Sequence, residues 1–294
     1  MSRALPVSPT DCAAPTLPSA APPSPSSSPL PPKDVQLGIQ QAIQNLQAED
    51  DPSIMKAAAS LVMFATLPEA EPHLAACVPC LLVLLNGDHS LPVQRNACAA
   101  LGAIMNASVM LYHVVAESSG LLKGLLKCLE PGMEDVGLQI NVLAALSALA
   151  QQELGLALMK DTGVDDILLS LLGPNVDAKL EEDVVDTLCA IAAHEKMQQI
   201  LVRKGAVTKL KWHLASESPE ICVRVLLALG MLCGSSVEGQ LELARADGAV
   251  KALVKLMTSN DHDVKSIARD LFSALTSNQE ARSIVEQMMR SCQV

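Results

Sequence analysis

Four segments of the chain share one pattern of apolar and polar positions. Gly120 to Leu129, Gly163 to Leu172, Gly205 to Leu214 and Gly248 to Met257 each open on a glycine and continue with apolar residues at helical spacing. Successive glycines lie 43, 42 and 43 positions apart. Each segment is followed by a second apolar run, centred on Leu146, Leu188, Leu229 and Phe272 in turn. Upstream, Ala76 to Leu85 fits the same template with Leu101 as its centre, and Leu61 marks a further, degenerate unit. A short helix such as Met197 to Arg203 precedes the glycine, which closes it in the left-handed conformation. No single unit can bury its apolar face alone, so neighbours must stack into one continuous core. The pattern predicts an all-α fold: a right-handed α-solenoid of about six three-helix repeats rather than a globule.

Composition sharpens this picture. Half the residues are hydrophobic, yet the aromatics number one Trp, one Tyr and two Phe. The core must be built from Leu, Ala, Val, Ile and Met, a set that favours helices over strands. Small residues at Ala97, Ala100, Ala144, Ala145 and Ala228 on the third helices would let those helices approach closely. The opening from Met1 to Pro32 carries ten of the eighteen prolines and has too little apolar surface to fold. The expected organisation is a disordered Pro/Ser-rich tail over residues 1–34 and a repeat domain over 35–294. Ser8-Pro9, Ser24-Pro25 and Ser28-Pro29 in the tail are pairs that a proline-directed kinase would read.

Charge and cysteine usage restrict the function classes. The net charge of -11, with no local basic patch, disfavours nucleic acid and anionic lipid. Nine scattered cysteines without a secretory leader point to thiols in a reducing compartment, hence a cytoplasmic placement, with nuclear or ciliary placement as alternatives. An organelle transit peptide is disfavoured because Arg3 is the only basic residue before Lys33. The longest uncharged stretch, Asn96 to Ala116, is interrupted by Asn106, Ser108 and His113, and reads as two successive buried helices, not a membrane span.

Gly248-Ala-Val-Lys-Ala-Leu-Val-Lys-Leu-Met257 followed by Asp263-Val-Lys-Ser-Ile-Ala-Arg-Asp-Leu-Phe272 resembles an armadillo repeat, as does Cys77 to Leu85 followed by Pro92-Val-Gln-Arg-Asn-Ala97. The resemblance covers roughly Val35 to Gln287. It implies a non-catalytic platform for other proteins, with the third helices lining a concave surface. The family's best-known peptide binders place an Asn two positions after the central residue, where this chain has Met63, Ala103, Ala148, Ala190, Met231 and Ala274. Its nuclear-import adaptors carry Trp four residues before that Asn, where this chain has Ala59, Ala99, Ala144, Asp186, Leu227 and Asp270. The import-signal reading therefore fails. An extended peptide would lose its backbone clamp, whereas a helix satisfies its own backbone, so the expected ligand is an amphipathic helix or a folded surface.

One turn earlier on the same helices lie Lys56, Asn96, Asn141, Asp183, Arg224 and Ile267, with an acidic middle at Glu182, Asp183 and Asp186 that would suit basic partner segments. The expected protein-binding groove comprises Lys56, Met63, Asn96, Ala103, Asn141, Ala148, Asp183, Asp186, Arg224, Leu227 and Met231. Its alternatives are plain: the Ala and Met positions could be buried between repeats, and the carboxylates could form an ordinary solvated face.

Catalytic chemistry finds little support. Cys77-Val-Pro-Cys80, flanked by His73 and His89, has the look of a zinc or thiol-redox pair. The repeat explains it more simply, since Pro79 aligns with the proline that opens a second armadillo helix. His113, His194, His213 and His262 are spread over different repeats, without a carboxylate at helical spacing that suggests a site, and read as solvated or capping. There is no glycine-rich phosphate loop and no nucleophile elbow, and no cofactor is expected. Trp212 falls on a second helix where the family exposes a polar residue, and is either an outward anchor or packed inward. The functional expectation is a non-enzymatic scaffold or adaptor, with a co-chaperone acting on chaperones or clients as the second reading and a zinc or thiol-redox protein on Cys77 and Cys80 as the third.

Overall fold

A computed structural model of the chain describes residues 31–291, apart from 131, 134, 174, 175 and 235. Residues 1–30 of the expected tail, with its three Ser-Pro pairs, lie outside the described residues, while residues 32–34 at its end form the first turn of a helix. The first helix, α1 (Pro32–Asn45), begins just before the expected domain start at Val35 and packs on α2 (Asp51–Phe64).

Five triplets follow. They are α3 (Glu71–Leu74), α4 (Val78–Asn86) and α5 (Leu91–Ala107); α6 (Val109–Ala116), α7 (Leu121–Lys127) and α8 (Val136–Ala150); α9 (Glu153–Met159), α10 (Val164–Ser170) and α11 (Ala178–Ala192); α12 (Glu195–Arg203), α13 (Ala206–Leu210) and α14 (Pro219–Gly234); and α15 (Val237–Arg245), α16 (Ala249–Leu256) and α17 (His262–Leu275). A last helix, α18 (Gln279–Ser291), packs on α15. With the incomplete units at either end, this is the expected count of about six, and no strand occurs among the described residues.

Local chemistry explains each boundary. Gly120, Gly163, Gly205 and Gly248 have φ of 88°, 77°, 76° and 75°, so each sits in the left-handed region and redirects the chain from first helix to second. Four of the third helices start on aspartate caps, whereas Ser90 before α5 makes no side-chain cap bond. Asp50, Asp135, Asp177 and Asp261 accept from the amides of Ser53, Leu138, Leu180 and Val264 at 2.8 to 3.2 Å. Ser108 separates α5 from α6 by accepting from the Leu111 amide at 3.2 Å, which divides the uncharged stretch into two helices as its polar residues suggest.

The third helices form the spine. α2 packs on α5, α5 on α8, α8 on α11, α11 on α14 and α14 on α17. Their central residues Leu61, Leu101, Leu146, Leu188 and Leu229 are buried, while Phe272 is half-buried in the last repeat. Ala97, Ala100, Ala145 and Ala228 are buried between the helices, as close approach requires, but Ala144 points outward. The run Pro68–Asn86 is long and apolar enough to cross a membrane by length and composition. It is made of short helical pieces that bury Leu74, Cys77, Leu81 and Leu85 in the shared core.

Candidate functional site

Exposure along the spine follows the register from each central residue. Two positions before it, Ala59, Ala144, Leu227 and Asp270 are exposed and Ala99 and Asp186 half-buried, so this is the open row of the face. Two positions after it, Met63 is 68% exposed, whereas Ala103, Ala190, Met231 and Ala274 are half-buried and Ala148 is only 4% exposed. Ala148 packs between repeats and offers almost no surface to a ligand. Five positions before it, Lys56 is exposed and Asn96, Asn141, Asp183, Arg224 and Ile267 are half-buried.

The two asparagines in that row have structural partners. Asn96 Nδ2 donates to the Met55 carbonyl at 3.2 Å, and Asn141 Nδ2 donates to the Arg95 carbonyl at 3.0 Å. Thr187, buried on α11, continues the series by donating to the Leu143 carbonyl at 3.2 Å. Each bond ties one third helix to the one before it, so these donors hold the spine together.

The acidic middle is largely neutralised from within. Arg224 on α14 places Nη2 2.7 Å from Glu182 Oε1 and Nε 2.7 Å from Asp186 Oδ1. Lys179 Nζ lies 3.3 Å from both Glu182 Oε2 and Asp183 Oδ1. Three carboxylates against two cations leave one net negative charge. Asp183 Oδ2 is buried with no hydrogen-bond partner among the described residues. Burial pushes the Asp183 carboxyl above the usual carboxylate range, against the pull of Lys179. Asp183 and Asp186 line a concavity of about 240 Å³ with Asn106, Ala144, Ser147 and Gln151. Lys179 is a participant that the sequence reading passed over. Its spacing of four from Asp183 carried the signal, whereas the Arg224–Asp186 pair joins residues 38 apart and becomes visible only when α11 and α14 lie side by side.

The geometry around Cys77 and Cys80 lends the zinc and thiol-redox alternative no support among the described residues. Cys77 is buried and Cys80 half-buried, with Gln47 Nε2 3.6 Å from Cys80 Sγ. Burial, reinforced by Cys80, pushes the Cys77 thiol up to about 12, the opposite of an activated nucleophile. Among the described residues, no three His, Cys, Asp or Glu side chains gather closely enough to hold a metal, so His73 and His89 do not complete a set around the pair. Pro79 instead sits in the first turn of α4.

The histidines behave less uniformly than expected. His262 is exposed beside Asp263, and His113 is exposed 3.6 Å from Glu117. His213 differs. Its side chain is largely buried and its Nδ1 contacts Glu181 Oε1 of α11, a pairing across 32 residues that helical spacing could not reveal. Trp212 beside it is 68% exposed, which settles its direction as outward.

No protein-family model and no curated protein matches the sequence. Solved structures do. The chain is similar to the designed armadillo repeat protein YIII(Dq)4CqI, with a TM-score of 0.71 and 25% identity over 81% of this chain and 99% of that one. It is similar to computationally designed armadillo repeat proteins for modular peptide recognition, with a TM-score of 0.71 and 25% identity over 80% and 99%. A third likeness is to the designed armadillo repeat protein YIII(Dq.V1)4CPAF in complex with the peptide (KR)4, with a TM-score of 0.71 and 22% identity over 81% and 99%. With the triplets, the left-handed glycines and the third-helix spine, these likenesses give the chain the armadillo-repeat fold.

Proposed function

We propose that the chain is a non-enzymatic scaffold that holds a partner protein along the third-helix face, and that the partner presents a helix with basic residues rather than an extended strand. One observation carries this reading. The open row runs across successive repeats as Ala59, Ala99, Ala144, Asp186, Leu227 and Asp270, a floor of small and aliphatic side chains broken by two carboxylates, with one concavity lined by Asp183 and Asp186. An extended ligand needs donors and acceptors for its own backbone. The amides of Asn96 and Asn141 are engaged by the spine, and no Asn stands two positions after any central residue. A helix brings its backbone already paired, and one of its basic side chains can enter the concavity that Asp183 and Asp186 line. The complex of a designed armadillo repeat protein with (KR)4 supports a preference for basic segments on this architecture.

The test is affinity capture with the double variant Met63→Glu, Leu227→Glu, at two exposed sites whose change leaves the core untouched. Partners held by the parent are lost from the variant while helicity and melting stay the same. Hydrogen exchange of the captured complex then shows protection on α5, α8, α11 and α14. Protection confined to the second helices would overturn the reading.

A further inference from the structure

We infer that the chain carries a second interaction surface, centred on Trp212 and independent of the third-helix face, which takes an acidic partner segment bearing an apolar side chain. In its repeat the second helix is α-helical only to Leu210 and then tightens into a 3-10 turn over Lys211–Ala215, which carries Trp212. The fold does not ask for an aromatic there. Counting seven residues from the left-handed glycine, the sister repeats place Lys127, Ser170 and Lys255 at this position, all exposed. A tryptophan in their place keeps 68% of its surface in water in a chain with four aromatics in all. An exposed tryptophan beside an apolar cleft is the kind of side chain on which interfaces concentrate their binding energy.

The surroundings say what covers it. Trp212 forms one wall of a cleft of about 620 Å³ whose far side is Leu172, Gly173 and Val176, an apolar slot for an aliphatic or aromatic side chain. Two cations flank the ring. Lys209 Nζ donates to the Leu169 carbonyl at 2.9 Å; Lys211 Nζ lies 4.5 Å over the indole and 3.3 Å from the Asp247 carbonyl. Among the described residues no carboxylate forms an ion pair with either lysine; their hydrogen bonds go to the main-chain carbonyls of Leu169 and Asp247. Glu181, at the edge of this cleft, is already engaged by His213. Lys211 also lines a neighbouring cleft with Arg245, Glu238, Glu242 and Asp247, three carboxylates against two cations, which directs a partner carboxylate to the Lys209 side. The surface therefore reads an apolar anchor on Trp212 and a carboxylate on Lys209, with Lys211 over the ring adding positive charge beside them.

The experiment pans a phage-displayed library of random peptides lacking Trp on the full chain and retests each binder on Trp212→Ala and on the double variant Lys209→Glu, Lys211→Glu. All three positions have exposed or half-exposed side chains, and circular dichroism of each variant confirms the fold. Trp212 is the only tryptophan, so its emission reports this surface alone. The expected result is a class of peptides with Asp or Glu beside an apolar residue that shifts the emission to the blue and binds both variants about tenfold more weakly or worse. The inference is overturned if no binder depends on Trp212, if the dependent binders carry Lys or Arg instead of carboxylates, or if the lysine variant binds them like the parent. A dimer in sedimentation velocity that Trp212→Ala dissolves would also overturn it, by making a second copy the occupant.

Discussion

The side-chain amide of Asn141 donates to the main-chain carbonyl of Arg95 across 3.0 Å, tying α8 to α5 of the preceding repeat. Asn96 makes the same bond to Met55 one repeat earlier, at 3.2 Å. In both cases the acceptor immediately precedes the equivalent position on the neighbouring helix, so the pair acts as a register lock between repeats whose stability depends on their neighbours. Removing the amide with Asn141→Ala is expected to cost about 1 kcal/mol. The urea midpoint falls while the slope is unchanged. Binding of a helical partner to the face stays at the parental level, whereas loss of binding without loss of stability would show the amide serving ligand instead of fold.

Gly155 shows how tightly first helix meets third. The Tyr112 hydroxyl donates to the Leu149 carbonyl at 2.8 Å, and a methyl group at Gly155 would overlap that carbonyl oxygen and come 2.6 Å from the Tyr112 hydroxyl. Gly239 occupies the same place on α15, where a methyl would lie 2.5 Å from the Leu232 carbonyl. Gly155→Ala is expected to destabilise by about 1–3 kcal/mol, because neither carbonyl nor backbone can move aside. Gly230→Ala, inside α14 with open space around it, is expected to raise stability by about 0.5–1 kcal/mol. Thermal melts of the two variants should therefore move in opposite directions.

The two glycine classes also mark what the sequence could and could not reveal. The closing glycines Gly120, Gly163, Gly205 and Gly248 stand out through spacing alone, because only the left-handed conformation lets a first helix end and a second begin in so few residues. The buried centres Leu61 to Leu229 were legible for the same reason. The third-helix starts were legible in principle: Asp50, Ser90, Asp135, Asp177, Ser218 and Asp261 each stand eleven positions before a central residue, a period seen once the centres are aligned, although Ser90 makes no side-chain cap bond. Contacts between repeats were not. Burial of Ala148, the Arg224 bridge to Glu182 and Asp186, and the meeting of His213 with Glu181 depend on how far one repeat rotates against the next. Ridge-into-groove packing fixes that rotation, and periodicity within a repeat carries no record of it. The partners of the asparagine amides were not legible either, because their acceptors are backbone carbonyls, which every residue type supplies.

Asp183 makes the acidic middle a source of pH dependence. Burial raises its carboxyl above the ordinary range despite Lys179, so the folded chain holds this proton more tightly than the unfolded chain. Stability from this group is therefore present at low pH and is lost as pH rises from the ordinary carboxylate range through the raised value. At neutral pH the ionised Asp183 is a cost. Asp183→Asn removes it, while Lys179 keeps Glu182 at 3.3 Å. The variant is expected to melt above the parent at pH 7, with the gap closing as the pH is lowered into the ordinary carboxylate range. A variant that melts below the parent at pH 7 would show that the Lys179 pairing outweighs the burial.

Cysteine reactivity separates a packing role from a chemical one. Burial pushes the thiols of Cys77 and Cys233 up to about 12. At pH 7 that leaves about one thiolate in 10⁵, against a few per cent for an ordinary exposed cysteine. Both side chains are also enclosed by the core. Native protein treated with iodoacetamide at pH 7 is expected to carry no label on either residue, and unfolding in urea should make both react; peptide mass mapping reads the two states. Labelling of native Cys77 on the timescale of a free thiol would mean that the start of α4 opens readily, and would return Cys77 and Cys80 to consideration as a thiol pair. Protection of Cys77 together with Cys233, whose nearest cysteine on α14 is Cys222 eleven residues away, would show that the spacing at Cys77 and Cys80 records two small apolar positions of a repeat.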